Sequence, residues 1–282
     1  MRYGVSYYPE HKTEGDLRHD LELLKGSGIN TVRMGEFAWC RMEPVEGQYT
    51  FGWLQEVVEE LGQAGIRTIL CTPTACPPAW LVKKHPDILY MDNRRIRRPF
   101  GGRRHYCYNN ETYRQYSVKI AEELARAFAG NSYVAGVQID NEPAQEGTGR
   151  CCCPVCVDRF HTYLRERFGT IEEFNRRSGN IFWSQEYDDF EEIPVPVNTI
   201  EVGAQDQIRA YYENPTVRLA FERFCSDSQK EYQDLQVQAL RQFLQVPITT
   251  NATGLATNSI DYYDSTASLD RYAFDFYPGL RD

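Results

Sequence analysis

Residues 134–142 form an apolar, strand-like run that ends in Asp140, Asn141 and Glu142. An acid at the carboxyl end of a buried strand stands where parallel-sheet enzymes place reactive groups, although a helix-start or surface-loop acid is the alternative. Glycoside hydrolysis needs two carboxyl groups flanking the scissile bond. Burial and a neighbouring carboxylate would raise the pKa of Glu142 for the acid role. The Asn141 amide suits a hydrogen bond to the sugar hydroxyl beside the anomeric carbon.

A cysteine cluster follows in the sequence RCCCPVC, at Cys151, Cys152, Cys153 and Cys156, with Cys107 upstream. Structural zinc takes four soft ligands in a tetrahedron, and three local cysteines plus a distant one supply that set. Alternate residues of an extended chain share a side, so Cys151 and Cys153 are the expected pair and Cys152 a bystander. Buried thiols or a redox pair are the alternatives. A catalytic zinc is disfavoured because four cysteines leave no open position.

Strand-like and helix-like patterns alternate around both clusters. Strands are predicted at residues 3–8, 30–36, 67–72, 134–140, 247–251 and 271–277. Helices are predicted at residues 13–28, 54–62, 116–130, 160–168 and 218–243. This alternation predicts an α/β fold with a parallel sheet, and polar residues at successive strand ends favour a (β/α)8 TIM barrel over a doubly wound sheet.

The number of strands bears on domain organisation. Six strands do not close an eight-stranded barrel, so we expect residues 1–282 to form one incomplete barrel domain, truncated after about the sixth strand. A long insertion that contains the cysteines is expected at about 143–245, after the fourth strand.

Composition excludes several classes of partner. Apolar residues make up 41% and charged residues 25%, as in ordinary globular proteins, and the net charge is −9. An acidic chain is a poor candidate for binding nucleic acid or an anionic membrane. No run approaches the roughly 20 apolar residues that span a bilayer, and residues 1–12 do not resemble a signal peptide. Nine cysteines then favour thiols or metal over disulfides, and we expect a cytoplasmic protein.

Nine motifs follow one another along the whole chain: GVSYYPE, TVRMGEFAWCRMEPVEGQYTFGWL, TPTACPPAWL, FGGRRHYCYN, QIDNE, the cysteine cluster, IFWSQEY, PITTN and FDFYP. In this order they resemble glycoside hydrolase family 42, the β-galactosidases of the clan that places both catalytic glutamates on a (β/α)8 barrel. The resemblance implies a retaining hydrolase that releases terminal non-reducing β-D-galactose from β-galactosides.

The resemblance also implies roles for single residues. Glu142 is the implied general acid/base, and Arg103, Asn141 and Tyr277 are implied substrate-binding residues. The implied ligands of a structural Zn²⁺ are Cys107, Cys151, Cys153 and Cys156. A homotrimer is implied for the full-length family.

The resemblance places the nucleophile on the seventh barrel strand, and no glutamate of this sequence occupies a matching position. We therefore expect residues 1–282 to be the N-terminal part of the barrel, without the nucleophile and without the trimerisation and C-terminal β domains. We expect no turnover from this part alone. Two alternatives stay open. One is another β-glycosidase of the clan, acting on arabinosides, fucosides or mannans; the other is a non-catalytic, sugar-binding or zinc-stabilised remnant.

Overall fold

The computed structural model describes residues 1–13, 16–145, 148–196, 214–252 and 260–276. Its strands are short and fall in or at the edge of the six predicted runs. They are β1 Gly4–Ser6, β2 Thr31–Met34, β3 Arg67–Cys71, β4 Val134–Gln138, β5 Ile248–Thr249, β6 Asn251–Ala252 and β7 Ala273–Phe274. The predicted fifth strand is divided into β5 and β6 at Thr250, whose hydroxyl donates to the carbonyl of Ile139 at 2.8 Å.

The strands lie in the order in which the chain makes them. β1 to β5 are neighbours in sequence order, β6 pairs with β7, and all of these pairs are parallel. A doubly wound sheet reverses its direction after the first strands, whereas a barrel winds in one direction only. The unbroken order therefore confirms the predicted fold class, a TIM barrel truncated at six strand positions in the part described.

Helices separate all the strands except β5 and β6. They are α1 Asp16–Gly26, α2 Trp39–Met42, α3 Gly52–Gln63, α4 Ala79–Lys84, α5 Glu111–Ala127, α6 Pro154–Phe168, α7 Ile171–Ser178, α8 Pro215–Arg241 and α9 Tyr262–Ser265. α5 begins five residues before its predicted start because Asn110 caps it, its side chain accepting the N–H of Tyr113 at 2.9 Å. Over the described ranges, we find no helix with the length and apolar character to span a bilayer.

The main core lies between the strands and the helices that cover them. Val32 and Met34 of β2 are fully buried, as are Leu54, Val58 and Leu61 on one face of α3. Burying such a side chain stabilises the fold by about 1.5–3 kcal/mol. The helical spacing read from the sequence therefore fixes which face of α3 covers the sheet.

A second core forms around the cysteines, mostly from residues that lie between β4 and β5 in the sequence. It joins them to aromatic and aliphatic residues of α6, α7 and the first half of α8, including Phe160, Phe174 and Phe221. The second half of α8 packs along α5 and contributes Tyr232 and Leu240 to the main core. The segment predicted as an insertion at 143–245 therefore includes a helix that belongs to both cores.

Candidate active site

Glu142 lies four residues beyond β4, in a loop of unusual backbone conformation. Asp140, Glu142 and Ala144 have φ values of 55°, 47° and 63°, in the left-handed region that side chains disfavour. Each such residue costs about 1–3 kcal/mol and persists only where its surroundings hold it. Asn141 and Glu142 are both buried in this loop, at 3% and 7% exposed.

Residues 103–108, just before α5, hold this loop. The Tyr106 hydroxyl donates a short hydrogen bond to the carboxylate of Asp140, and the Tyr108 hydroxyl accepts the N–H of Ala144 at 2.8 Å. Asp140 also accepts the N–H of Asn141 at 2.6 Å. These contacts fix the backbone on both sides of Glu142 and account for its left-handed conformation.

Two arginines from the same segment reach Glu142. Arg104 is 1% exposed and its Nη1 lies 2.6 Å from Glu142 Oε2. Arg103, the residue predicted to bind substrate, lies farther away, with Nη2 at 3.6 Å from the same oxygen and 43% of its side chain exposed. The structure therefore places Arg103 at the mouth of the site and Arg104 in contact with the acid. Sequence reasoning missed Arg104 because adjacent arginines carry no local signal of which one is buried.

A cavity of about 530 Å³ runs along the sheet from Gly4 and Thr31, at the amino ends of β1 and β2, to Glu142 beyond the carboxyl end of β4. Glu142, Asn141 and Arg103 line it, as does Arg33 from the end of β2. Its other lining residues are Arg2, Gly4, Val5, Ser6, Tyr8, Thr31, Val32, Phe37, Ile69 and Asp275. Polar groups that converge on an open cavity at the carboxyl ends of parallel strands are the arrangement of a barrel active site.

The carboxyl group of Glu142 is hydrogen-bonded to that of Asp275, which follows β7. Burial and hydrogen bonding to the Glu142 carboxylate raise the pKa of Asp275 to about 6. Burial also acts to raise the pKa of Glu142, but the hydrogen bonds from Asp275 and Arg104 outweigh it and hold that pKa below its ordinary value. The expectation of a raised pKa for Glu142 is therefore wrong for this structure, in which the pKa of Glu142 is lowered and that of Asp275 is raised.

The predicted sugar contact Tyr277 lies outside the described residues. The other predicted residues converge: Asn141 donates from Nδ2 to Glu142 Oε2 at 3.3 Å, and Arg103 faces the same oxygen. Sequence reasoning did not predict roles for Gln138 or Asn251, which connect the strand ends below the cavity.

The four predicted zinc ligands form a compact buried cluster. Their sulfur atoms all lie within 4.8 Å of one another, and each residue is at most 6% exposed. Cys107 Sγ is 3.6 Å from Cys153 Sγ and 3.3 Å from Cys156 Sγ, too far for a disulfide of about 2.05 Å. Tetrahedral zinc with Zn–S bonds of about 2.3 Å needs sulfur atoms about 3.8 Å apart. The donor set and its spacing therefore fit zinc.

Neighbouring N–H groups point at these sulfurs. Cys107 Sγ accepts the backbone N–H of Asn109 at 3.4 Å, and Cys156 Sγ accepts its side-chain amide at 3.3 Å. Such donors favour thiolates over thiols. Cys152 instead donates to the carbonyl of Arg150. Pro154 begins α6 with Cys153 as its N-cap, so this segment continues into a helix directly after the cluster.

Known proteins share both sequence and fold with this chain. The family model of the β-galactosidases of glycoside hydrolase family 42 matches residues 6–282. A β-galactosidase of Thermus sp. is 40% identical over 276 residues, which are 98% of this chain and 41% of that relative. The β-galactosidase structure from the Antarctic haloarchaeon Halorubrum lacusprofundi superposes with a TM-score of 0.91 at 39% identity and covers 99% of this chain.

A β-galactosidase structure from Bacillus circulans sp. alkalophilus gives a TM-score of 0.90 at 30% identity over 100% of this chain. The chain spans about 40% of the length of the relatives it matches. Agreement in sequence and fold extends over nearly the whole of the 282 residues. The chain belongs to glycoside hydrolase family 42, the β-galactosidases.

Proposed function

We propose that this chain is the N-terminal part of the catalytic barrel of a retaining β-galactosidase, with Glu142 as general acid/base. The observation that carries the proposal is the buried Asn141-Glu142 pair, which opens into the cavity at the end of β4 beside two arginines. Its substrate would be a β-galactoside with a terminal non-reducing galactose.

Each group around the cavity has a chemical role in this proposal. The Nδ2 of Asn141 donates to the hydroxyl beside the anomeric carbon, and Arg103 binds the sugar at the cavity mouth. One proton is held by Glu142 and Asp275, on Asp275 below about pH 6. Transfer of that proton to Glu142 gives the acid that protonates the departing glycosidic oxygen.

A retaining mechanism also needs a nucleophilic carboxylate about 5–5.5 Å from the acid/base. Among the described residues lining the cavity, the carboxylates are Glu142 and Asp275. These two are joined by a hydrogen bond, which is too close for an acid and a nucleophile on opposite sides of a sugar ring. We therefore expect the 282-residue chain to bind galactose without hydrolysing β-galactosides.

A chimaera tests the proposed activity. Residues 1–282 are joined to the part of the Halorubrum lacusprofundi enzyme that lies beyond its matched region, and a chromogenic β-galactoside is assayed. We expect hydrolysis that falls about 10²–10⁴-fold on Glu142→Gln, the range for loss of a general acid/base. Glu166→Gln makes the same chemical change on α6, away from the cavity, and should leave the rate unchanged.

The outcomes separate the alternatives. Hydrolysis of an arabinoside, fucoside or mannoside in place of the galactoside would indicate another β-glycosidase of the clan. A folded chimaera that cleaves none of these sugars would contradict a catalytic role and favour a sugar-binding remnant. Turnover by the 282-residue chain alone would contradict the inference that the described residues lining the cavity include no nucleophile.

We propose further that Cys107, Cys151, Cys153 and Cys156 hold a structural Zn²⁺. Four buried sulfurs at near-tetrahedral spacing with N–H donors support this assignment. Zinc there would supply no chemistry to the cavity. It would fix the 103–108 segment, because Cys107 lies between the two tyrosines that hold the Asn141-Glu142 loop.

A cytoplasmic location is also part of the proposal. Cysteines that form no disulfide among the described residues suit a reducing compartment. The homotrimer expected from the family resemblance stays a prediction.

A further inference from the structure

Asn251, at the start of β6, lies 4% exposed beneath the Asn141-Glu142 pair. Its Oδ1 accepts the backbone N–H of Glu142 at 3.0 Å and the Nε2 of Gln138 at 3.0 Å. Its Nδ2 donates to Asn141 Oδ1 at 3.2 Å and to Asp275 Oδ2 at 3.0 Å. All four hydrogen-bonding positions of the amide are used, and they join the ends of β4, β6 and β7.

The orientation of this amide is set by groups whose donor or acceptor character is fixed. The backbone N–H of Glu142 is only a donor, so the atom of Asn251 that faces it must be oxygen. Gln138 meets the same oxygen, and its own orientation is fixed because Arg33 donates to its Oε1 at 3.1 Å. Gln138 Nε2 also donates to the carbonyl of Asp140 at 2.9 Å.

The orientation then passes to Asn141. Because Asn251 Nδ2 is a donor, the atom of Asn141 that faces it must be the acceptor Oδ1. The Nδ2 of Asn141 is thereby turned toward Glu142 Oε2. If the Asn141 amide were reversed, its N–H₂ group would face the N–H₂ group of Asn251. Its Oδ1 would then face Glu142 Oε2, so that two acceptors would meet.

We propose that Asn251 is a positioning residue that fixes the amide of Asn141, so that a donor and not an acceptor faces the glutamate and the sugar. The identity of the sugar in this inference rests on the proposed function. The orientation of the two amides rests on their hydrogen bonds alone. Asparagine is required at 251 because aspartate keeps the acceptor and loses the donor, while alanine loses both.

Two variants of the 282-residue chain separate the donor from the acceptor. Asn251→Asp should leave the Glu142 backbone N–H protected from hydrogen exchange, whereas Asn251→Ala should expose it. Both variants should shift the side-chain amide resonances of Asn141 in ¹⁵N-labelled protein, because both remove the donor that it faces. Unchanged Asn141 resonances in folded Asn251→Asp would overturn the proposal, whatever sugar the chain binds.

Sugar binding gives the functional readout. Galactose should bind about five- to tenfold more tightly than 2-deoxygalactose, the value of one hydrogen bond, and Asn251→Asp should remove this preference. A general loss of structure would weaken the binding of both sugars alike and leave the ratio of their affinities unchanged. That result would argue against a positioning role. If the unsubstituted chain binds neither sugar, the proposed function fails while the resonance test still decides the orientation.

The control is Asn110→Asp at the start of α5. Asn110 also accepts a backbone N–H, from Tyr113, and donates from Nδ2 to the carboxylate of Asp87 at 2.8 Å. The substitution therefore makes the same chemical change away from the cavity. It should lower stability and leave both the Asn141 resonances and the sugar preference as they were; a change in either would contradict the specific role of Asn251.

Discussion

Replacing Asp275 with asparagine should stabilise this protein at neutral pH. The substitution mimics the protonated carboxyl at every pH, because an asparagine Nδ2 donates to Glu142 and its Oδ1 accepts from Asn251. In the unsubstituted chain, Asp275 must lose its proton beside the ionised Glu142 as the pH rises. The nearby Arg33 offsets this repulsion only in part.

The pKa of Asp275 gives the magnitude. Burial and the Glu142 carboxylate raise it from 3.8 to about 6. An acid whose folded-state pKa is raised stabilises the fold fully below its unfolded pKa, and this stabilisation is lost as the pH rises through the folded pKa. Two pKa units correspond to about 3 kcal/mol. Because Asp275 is partly exposed to solvent, we halve this to about 1.5 kcal/mol.

Urea denaturation of both proteins between about pH 4 and pH 8 measures the difference in the free energy of unfolding. Asp275→Asn should be more stable by about 1.5 kcal/mol at pH 8 and equally stable near pH 4. Glu142 has a lowered pKa, so its own contribution is lost as the pH falls; the asparagine Nδ2 replaces the donor that Asp275 supplies to it, so we expect this loss to be similar in both proteins.

Two further variants show whether the effect arises from the pair. Asp158→Asn removes the same charge from the exposed surface of α6 and should not reproduce the pH-dependent gain. In a Glu142→Gln background, Asp275→Asn should lose most of its gain in the free energy of unfolding, because the neighbouring negative charge is gone. A stability difference that is absent at pH 8, or equally large at pH 4, would refute the reasoning.

Three other predictions concern the groups around Glu142. Metal analysis should find about one zinc per chain, lost in Cys153→Ser and retained in Cys152→Ser; no zinc in the unsubstituted protein would favour buried thiols. Arg104→Met should lower the free energy of unfolding by about 3–5 kcal/mol, since it leaves Glu142 without its buried partner, and a loss below 1 kcal/mol in urea denaturation would contradict that pairing. Tyr106→Phe keeps the ring but removes the donor to the loop carboxylate, so thermal or urea unfolding should show about 1–3 kcal/mol of destabilisation; unchanged stability would show that the loop is held otherwise.

Much of the fold was predictable because its signals are local. The helical spacing of Leu54, Val58 and Leu61 depends only on which residues are apolar, and the structure buries these three. The position of Asn141-Glu142 after an apolar strand needed no more than the adjacent sequence. The division of the fifth strand was not predictable, because its two halves pair with strands distant in sequence, β5 with β4 and β6 with β7.

The candidate site was predictable in its residue types and not in its connections. Which of two adjacent arginines is buried depends on the backbone at Arg104, whose φ is 55°, and on the position of Glu142 across the fold. The pKa direction of Glu142 depends on Asp275, which is far away in sequence and adjacent only in space.

The sequence by itself determined the order of strands and helices, the acid at the end of the fourth strand and the four cysteines that suit zinc. These are properties of neighbouring residues, which periodicity and spacing reveal. Only the tertiary structure decided which side chains meet: Arg104 with Glu142, Asn251 with Asn141, and Asp275 with Glu142. The physical reason is that hydrogen bonding and burial act across space, between strand ends that the fold alone brings together.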